Sequence, residues 1–304
     1  MLMPHLSAKY LSSVVSPYKI INEDLKNKNL QGNYNFDTKK EHRLYKFYGD
    51  ELKKKLIRSG INDKFLRGKK VLEVCGGTGF LTYHLLSNFK IDSLTVTDIA
   101  ENEINSAKKL IQENFPKRNI EWVLGDLNEL IFEEKFDLII GYSFLHHFHD
   151  IPGILSRFSN LLSNDGIVIS LHEPTVNSIA IRAIKPLAYL ISLFSPKTIV
   201  EYSRRKHAKN VPNKNLAYYT DIWLIEFNSF KKIALKCGFR KAFCNYWDLF
   251  LSVITDKLNL ENSEKQFLSK KEKLFRKTAF IVDSIINKFL PSRFFGSIVI
   301  ILKK

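Results

Sequence analysis

The chain has 304 residues, 45% hydrophobic and 26% charged, an ordinary globular composition long enough for one large domain or a domain with an appendage. Its three cysteines, Cys75, Cys237 and Cys244, have no paired spacing, which excludes a zinc or disulfide framework and predicts free thiols in a reducing compartment with no metal. The net charge of +16 is segregated: residues 1–174 hold 23 Lys+Arg against 22 Asp+Glu, and residues 175–304 hold 24 against 9. A basic surface of this kind suits anionic lipid headgroups, nucleic acid or an acidic small substrate.

Met1 to Val15 carries only short apolar pieces broken by Pro4, His5 and Lys9, which is not a secretory core, so a cytoplasmic protein is expected, peripheral at a membrane at most. Leu44, Phe47, Tyr48, Leu52 and Leu56 recur at spacings of three and four among lysines, and residues 1–66 read as a helical cap. The run Lys69 to Val74 suits a buried strand. Three glycines within four residues follow, Gly76, Gly77 and Gly79, and helical periodicity resumes over Phe80 to Ser87. Strand, Gly-rich turn and helix make a place where a ligand can touch the backbone at a helix start.

Ser93 to Thr97 reads as a second strand ending at Asp98, which lies 19 residues beyond Gly79. An acid about 20 residues after such a turn is placed to accept from the two hydroxyls of a ribose, so a nucleoside-bearing ligand is expected. A helix over Glu101 to Phe115, a strand over Ile120 to Leu124 ending in Gly125-Asp126, and a strand over Phe136 to Gly141 come next. Asp150 and Pro152 start a helix whose stripe is Ile151, Ile154, Leu155, Phe158, Leu161 and Leu162; Asn164-Asp165-Gly166 ends it and opens a fifth strand over Ile167 to Leu171. Alternating strands and helices predict a doubly wound, mostly parallel α/β sheet, with ligands outside the carboxyl ends of the strands. Gly76 to Gly79, Asp98, Asp126, Tyr142 to His147 and Glu173 all fall at those ends.

After Glu173 the pattern changes. Residues 175–226 read as an insertion or lid with an uncharged run, Leu187 to Phe194, too short to span a bilayer and so a lid, a buried helix or an interfacial one. A helix over Phe227 to Cys237 and strands over Phe239 to Tyr246 and Ser297 to Leu302 bring the sheet to seven, and residues 227–304 complete the core of 67–174. Between the last two strands, Glu264 to Leu290 reads as a basic amphipathic helix.

From Lys69 to Pro174 these residues resemble the class I S-adenosylmethionine-dependent methyltransferases of the small-molecule branch, with a Rossmann-like sheet. Glu73-Val74-Cys75-Gly76-Gly77-Thr78-Gly79 is similar to that family's glycine motif, whose loop holds the methionyl part of the cofactor. Cys75 stands where the family usually has its first glycine. The resemblance implies that Asp98 takes the ribose, that Ile99 packs near the adenine, and that Asp126, beside Leu127, accepts from the adenine amino group. Phe136 to Phe148, including Tyr142 and Leu145-His146-His147, resembles the family's fourth strand and the segment after it.

The expected reaction is methyl transfer to a small acceptor, with His146, His147 and Glu173 as the groups that could contact it. The Asn/Asp-Pro-Pro-aromatic segment of enzymes acting on nucleobase or amide nitrogen is absent after the fourth strand, which favours an oxygen or carbon acceptor. The apolar and basic second part favours a hydrophobic or anionic acceptor and leaves an anionic membrane surface open as a partner. RNA methylation is the alternative that the charge suggests. Two further alternatives are an NADP-dependent short-chain reductase, from Gly76 to Leu81 and the Tyr202-x-x-x-Lys206 spacing, and a non-catalytic cofactor-binding protein.

Overall fold

The computed structural model describes residues 52–148, 150–174, 225, 227–247 and 297–304, together with 274, 277, 278, 281, 282, 285, 286 and 289. Most of the helical cap, the insertion with Tyr202 and Lys206, and much of the basic helix lie outside the described residues. Residues 52–58 are helical, and Asp63–Leu66 makes one further turn capped by Asn62.

The strands are β1 (Lys70–Val74), β2 (Ser93–Asp98), β3 (Glu121–Leu124), β4 (Phe136–Tyr142), β5 (Leu162–Pro174), β6 (Lys241–Trp247) and β7 (Ser297–Lys303). The helices between them are α1 (Phe80–Asn88), α2 (Glu101–Asn114), α3 (Ile151–Leu161) and α4 (Phe227–Lys236), with a 3-10 turn at Leu145–His147. One sheet results, in the order β3-β2-β1-β4-β5-β7-β6, parallel except for β7, which runs antiparallel to both neighbours.

The central strands are covered on both faces, which is why they read as nearly unbroken apolar runs. Val71, Leu138, Ile140, Ile167 and Ile169 meet Leu81, Leu85 and Leu86 of α1 and Leu110 and Ile111 of α2 on one face. On the other, Leu72, Val74, Ile139 and Val168 meet Ile154, Leu155 and Phe158 of α3 and Phe230, Ile233 and Ala234 of α4. The Asp150 side chain accepts from Gly153 N–H at 2.9 Å and Pro152 fills the first turn, so α3 begins where the sequence signals it.

Two local expectations change. Leu162 does not finish α3 but opens β5, pairing with Phe136, and Asn164 to Gly166 lie inside the strand, where the register slips before Leu138 meets Ile167. Pairing along β4 outweighs the local turn chemistry of Asn-Asp-Gly, and the mismatch is absorbed as an irregularity. At its other end β5 runs past Leu171 to Pro174, with a second slip between Ser170 and Glu173 and with His172 at φ 62°. Glu173 lies beyond the last pair with β4, Tyr142 and Leu171, against the turn that follows that strand.

From β1 the chain winds outward through β2 and β3 in one direction and through β4 and β5 in the other, so the order reverses between β1 and β4. The carboxyl ends of these two strands flank the crevice where such sheets bind ligands. They are drawn close together at Gly141. A Cβ there would lie 2.7 Å from the Val74 carbonyl oxygen and 2.5 Å from the Phe144 ring. Gly141→Ala is therefore expected to cost about 3 kcal/mol, read as a lower urea midpoint with an unchanged slope.

Candidate functional site

The loop leaving β1 is folded tightly by its own backbone. Gly76 N–H donates to the Thr97 carbonyl at 2.9 Å, Gly79 N–H to the Gly76 carbonyl at 3.0 Å, and Gly77 N–H to Asp98 Oδ2 at 2.8 Å. Cys75, Gly77 and Gly79 have φ of 53°, 51° and 87°. Gly79, at the start of α1, also brings the loop against α2, since a Cβ there would sit 3.0 Å from Ala107 Cβ. Cys75 thus adopts the left-handed backbone that a glycine would take freely, and the loop keeps its course despite the substitution.

Glu73 lies under this loop and is buried. Its Oε2 accepts from Thr82 Oγ1 at 2.9 Å, while Oε1 has no hydrogen-bond partner among the described residues and would be 3.6 Å from a Cβ at Gly76. Burial pushes its pKa up to about 8, Thr82 draws it down in part, and the Asp98 carboxylate raises it. The folded state therefore holds a proton that the unfolded chain releases above the ordinary value of 4.5. Stability from this group is full below that value and is lost as pH rises toward about 8, by on the order of a few kcal/mol. Glu73→Gln is expected to remove the decline, measured as urea midpoints between about pH 5 and pH 8.

Asp98 and Asp126 stand at the ends of β2 and β3. Asp98 is nearly buried; Oδ2 accepts from Gly77 N–H, and Oδ1 accepts from Ala100 N–H at 2.8 Å. Burial raises its pKa against the pull of those backbone donors. Asp126 Oδ1 accepts from Asn128 N–H and Nδ2, each at 2.9 Å, and Gly125 N–H donates to the Asp98 carbonyl, which ties the two strand ends together. Ile99 is half-buried and Leu127 buried beside them. Burial, and then the charges of Asp98, Glu173 and Asp126, hold the Cys75 thiol well above its ordinary pKa. The loop is thus ringed by carboxylates, a field that favours a cationic ligand group.

Glu173 is the most heavily bonded side chain of the site. It is fully buried, and its carboxylate accepts from Phe144 N–H at 2.9 Å, Leu145 N–H at 2.8 Å, His146 N–H at 3.2 Å and the Ser170 hydroxyl. Its Oε2 is also 2.7 Å from His146 Nδ1. Glu173 and His146, 27 residues apart in sequence, therefore form a dyad that also closes the turn after β4. His147 is exposed, and its ring lies against that of His146, with centroids 4.0 Å apart. Tyr142 is half-buried, stacks on His172 at 5.3 Å and meets Phe80 edge-on at 5.1 Å.

All of the residues singled out from the sequence lie in the last residues of β1, β2, β4 and β5 or on the loops that follow β1 to β4. Thr78 is half-buried within the first loop. The structure adds Thr82, Ser170 and His172. Thr82 carried a legible signal, a hydroxyl on a helix that follows the glycine turn; Ser170 and His172 find their partners, Glu173 and Tyr142, only in the folded sheet.

Residues 71–166 match the family model described as a methyltransferase domain. Among curated proteins, the chain is 31% identical over 98 residues to a malonyl-[acyl-carrier protein] O-methyltransferase of Acetivibrio thermocellus, covering 32% of this chain and 33% of that protein. It is 27% identical over 144 residues to a demethylmenaquinone methyltransferase of Leptospira interrogans, covering 46% and 54%. The chain thus spans only about a third to a half of the length of these two relatives. A coclaurine N-methyltransferase structure bound to N-methylheliamine and SAH shares the fold at TM-score 0.50 and 15% identity, over 84% of this chain and 72% of that one.

Proposed function

We propose that this chain, a class I S-adenosylmethionine-dependent methyltransferase by its domain over residues 71–166, methylates oxygen or carbon of a small hydrophobic or anionic acceptor. The observation that carries the reading is the buried, unpartnered Glu73 Oε1 beneath a glycine loop ringed by Asp98, Asp126 and Glu173. Those residues fit the cofactor: the carboxylates suit its cationic groups and ribose hydroxyls, Gly76 lets the loop pack against Val96, and the Cβ-free Gly77, with open space beside it, admits the methionyl part. In this reading Glu73 and Cys75 to Gly79 hold the amino-acid end, Asp98 the ribose, Ile99, Leu127 and Tyr142 the apolar surfaces, and Asp126 the adenine amino group. When bound, S-adenosylmethionine supplies an electrophilic methyl group on a sulfonium.

The chain's own contribution is to orient the acceptor and to take its proton. With Nδ1 donating to the Glu173 carboxylate, His146 is fixed in the tautomer whose Nε2 carries a lone pair. That nitrogen can accept the proton of a hydroxyl or an acidic carbon as the bond to carbon forms. Glu173 itself is spent on five donors and serves as a positioning residue. His147, exposed and ring against ring with His146, borders the acceptor. The named substrates of the two curated relatives, a malonyl group on a carrier protein and a quinone-like compound, support an anionic or hydrophobic acceptor.

His146→Gln is expected to lower kcat by about 10²–10⁴-fold while leaving S-adenosylmethionine affinity nearly unchanged. The assay follows methyl transfer to hydroxylated quinones by mass spectrometry, with malonyl thioesters, whose carboxylate has no proton to lose, as the acceptor whose turnover should be indifferent to the change. Unchanged turnover of the quinones in the variant would remove His146 as the base, and transfer only to RNA would overturn the acceptor class.

A further inference from the structure

Among the described residues, 274, 277, 278, 281, 282, 285 and 286 are helical and Phe289 stands in the turn that follows. At 3.6 residues per turn, Leu274, Thr278, Ile281, Ile285 and Phe289 fall within an arc of about 80°. The four large apolar side chains in that arc are outward-facing: Leu274 is 67% exposed, Ile281 48%, Ile285 55% and Phe289 80%. Val282 and Ile286, on the adjoining side, are half-buried. The helix has thus already covered one apolar side and keeps a second one in water. A single exposed leucine needs no explanation, but four in one helical stripe do.

The charges beside the stripe indicate what covers it. Lys277 is exposed on its flank. The stretch 270–289 to which it belongs carries five further cations, Lys270, Lys271, Lys273, Arg276 and Lys288, against two acids, Glu272 and Asp283. An apolar stripe flanked by Lys277, in a stretch where cations outnumber acids six to two, is complementary to acyl chains below and anionic headgroups beside. A second copy of the same strongly basic stretch would repel it, and a nucleic acid would have no use for three aliphatic side chains at the centre of its contact.

We propose that the Leu274–Phe289 stripe docks flat on an anionic lipid bilayer. Lys277 and the basic residues of the same stretch meet lipid phosphates and carboxylates, while Leu274, Ile281, Ile285 and Phe289 enter the boundary between headgroups and acyl chains. No helix among the described residues is long and apolar enough to cross a membrane, so the contact is one of lying on the surface. The proposal stands independently of the methyl-transfer reading.

The test is sedimentation of the full chain with vesicles of phosphatidylcholine alone and of phosphatidylcholine with phosphatidylserine, at moderate salt. The wild type is expected to pellet with the mixed vesicles, and the exposed double variant Ile285→Ser/Phe289→Ser to bind them about tenfold more weakly or worse. Lys277→Glu should weaken binding to the mixed vesicles and leave the neutral ones unaffected. Far-UV circular dichroism checks that the variants fold. Absence of vesicle binding by the wild type would overturn the proposal. So would undiminished binding by the folded double variant, binding to RNA alone, or self-association that disappears in the double variant while vesicles are ignored.

Discussion

Asp98→Ala is expected to weaken S-adenosylmethionine binding by about one hundredfold, the loss of roughly 3 kcal/mol for two hydroxyl hydrogen bonds to a charged acceptor. The structure gives the residue a second task, because the same carboxylate accepts from Gly77 N–H in the β1 loop and from Ala100 N–H in its own turn. Each oxygen retains a lone pair for a ligand hydroxyl while keeping its backbone donor. Removing the side chain therefore also releases the loop that would carry the methionyl group. Asp98→Asn keeps one acceptor and a similar shape, so calorimetry should place it between the wild type and the alanine variant. Equal affinity in all three would remove Asp98 from the site.

Glu173→Gln is the variant with the largest expected effect on the fold. Burial alone would raise the Glu173 pKa, but the hydrogen bond from His146, the charge that His146 carries once protonated in acid, then Ser170 and the Leu145 backbone outweigh it and hold the carboxyl below the ordinary value of 4.5. A depressed folded pKa means that the carboxylate stabilises the protein above the unfolded value and that this contribution is lost as pH falls through the folded value. An amide presents two hydrogens to a pocket lined with donors, so a loss of about 3–5 kcal/mol at neutral pH is expected. The acid limb of the stability profile should flatten at the same time. Urea titrations across pH test both, and an unaltered acid limb would show that the dyad does not ionise as described.

Much of this arrangement could be read from local pattern. The strand–glycine turn–helix at Val71 to Leu81 and the acid 19 residues beyond Gly79 are properties of adjacent segments, and they predict the β1 loop and its neighbour at the tip of β2. Seven strands could be counted from apolar runs. Their order could not, because nothing local says that Ser297–Lys303 enters between Leu162–Pro174 and Lys241–Trp247. The role of Glu173 was illegible for a similar reason: its donors arrive from Phe144 to His146 only once β4 and β5 are in register. The misread start of β5 is the converse case, where Asn164-Asp165-Gly166 gives a clear turn signal that pairing with β4 overrides.

Cys75 illustrates a departure that only geometry could resolve. In sequence it interrupts a glycine pattern, and in the structure it takes φ 53° and preserves the turn, at a backbone cost of about 1 kcal/mol or more. Burial, and then the charges of Asp98, Glu173 and Asp126, keep the thiol protonated.

The central claim is that the loop and its carboxylates form a site for S-adenosylmethionine, and isothermal titration of the full chain with that compound, with NADP in parallel, tests it most directly. The account predicts saturable one-to-one binding of S-adenosylmethionine and no heat with NADP. Binding of NADP in preference, or no binding of S-adenosylmethionine by folded protein, would contradict it.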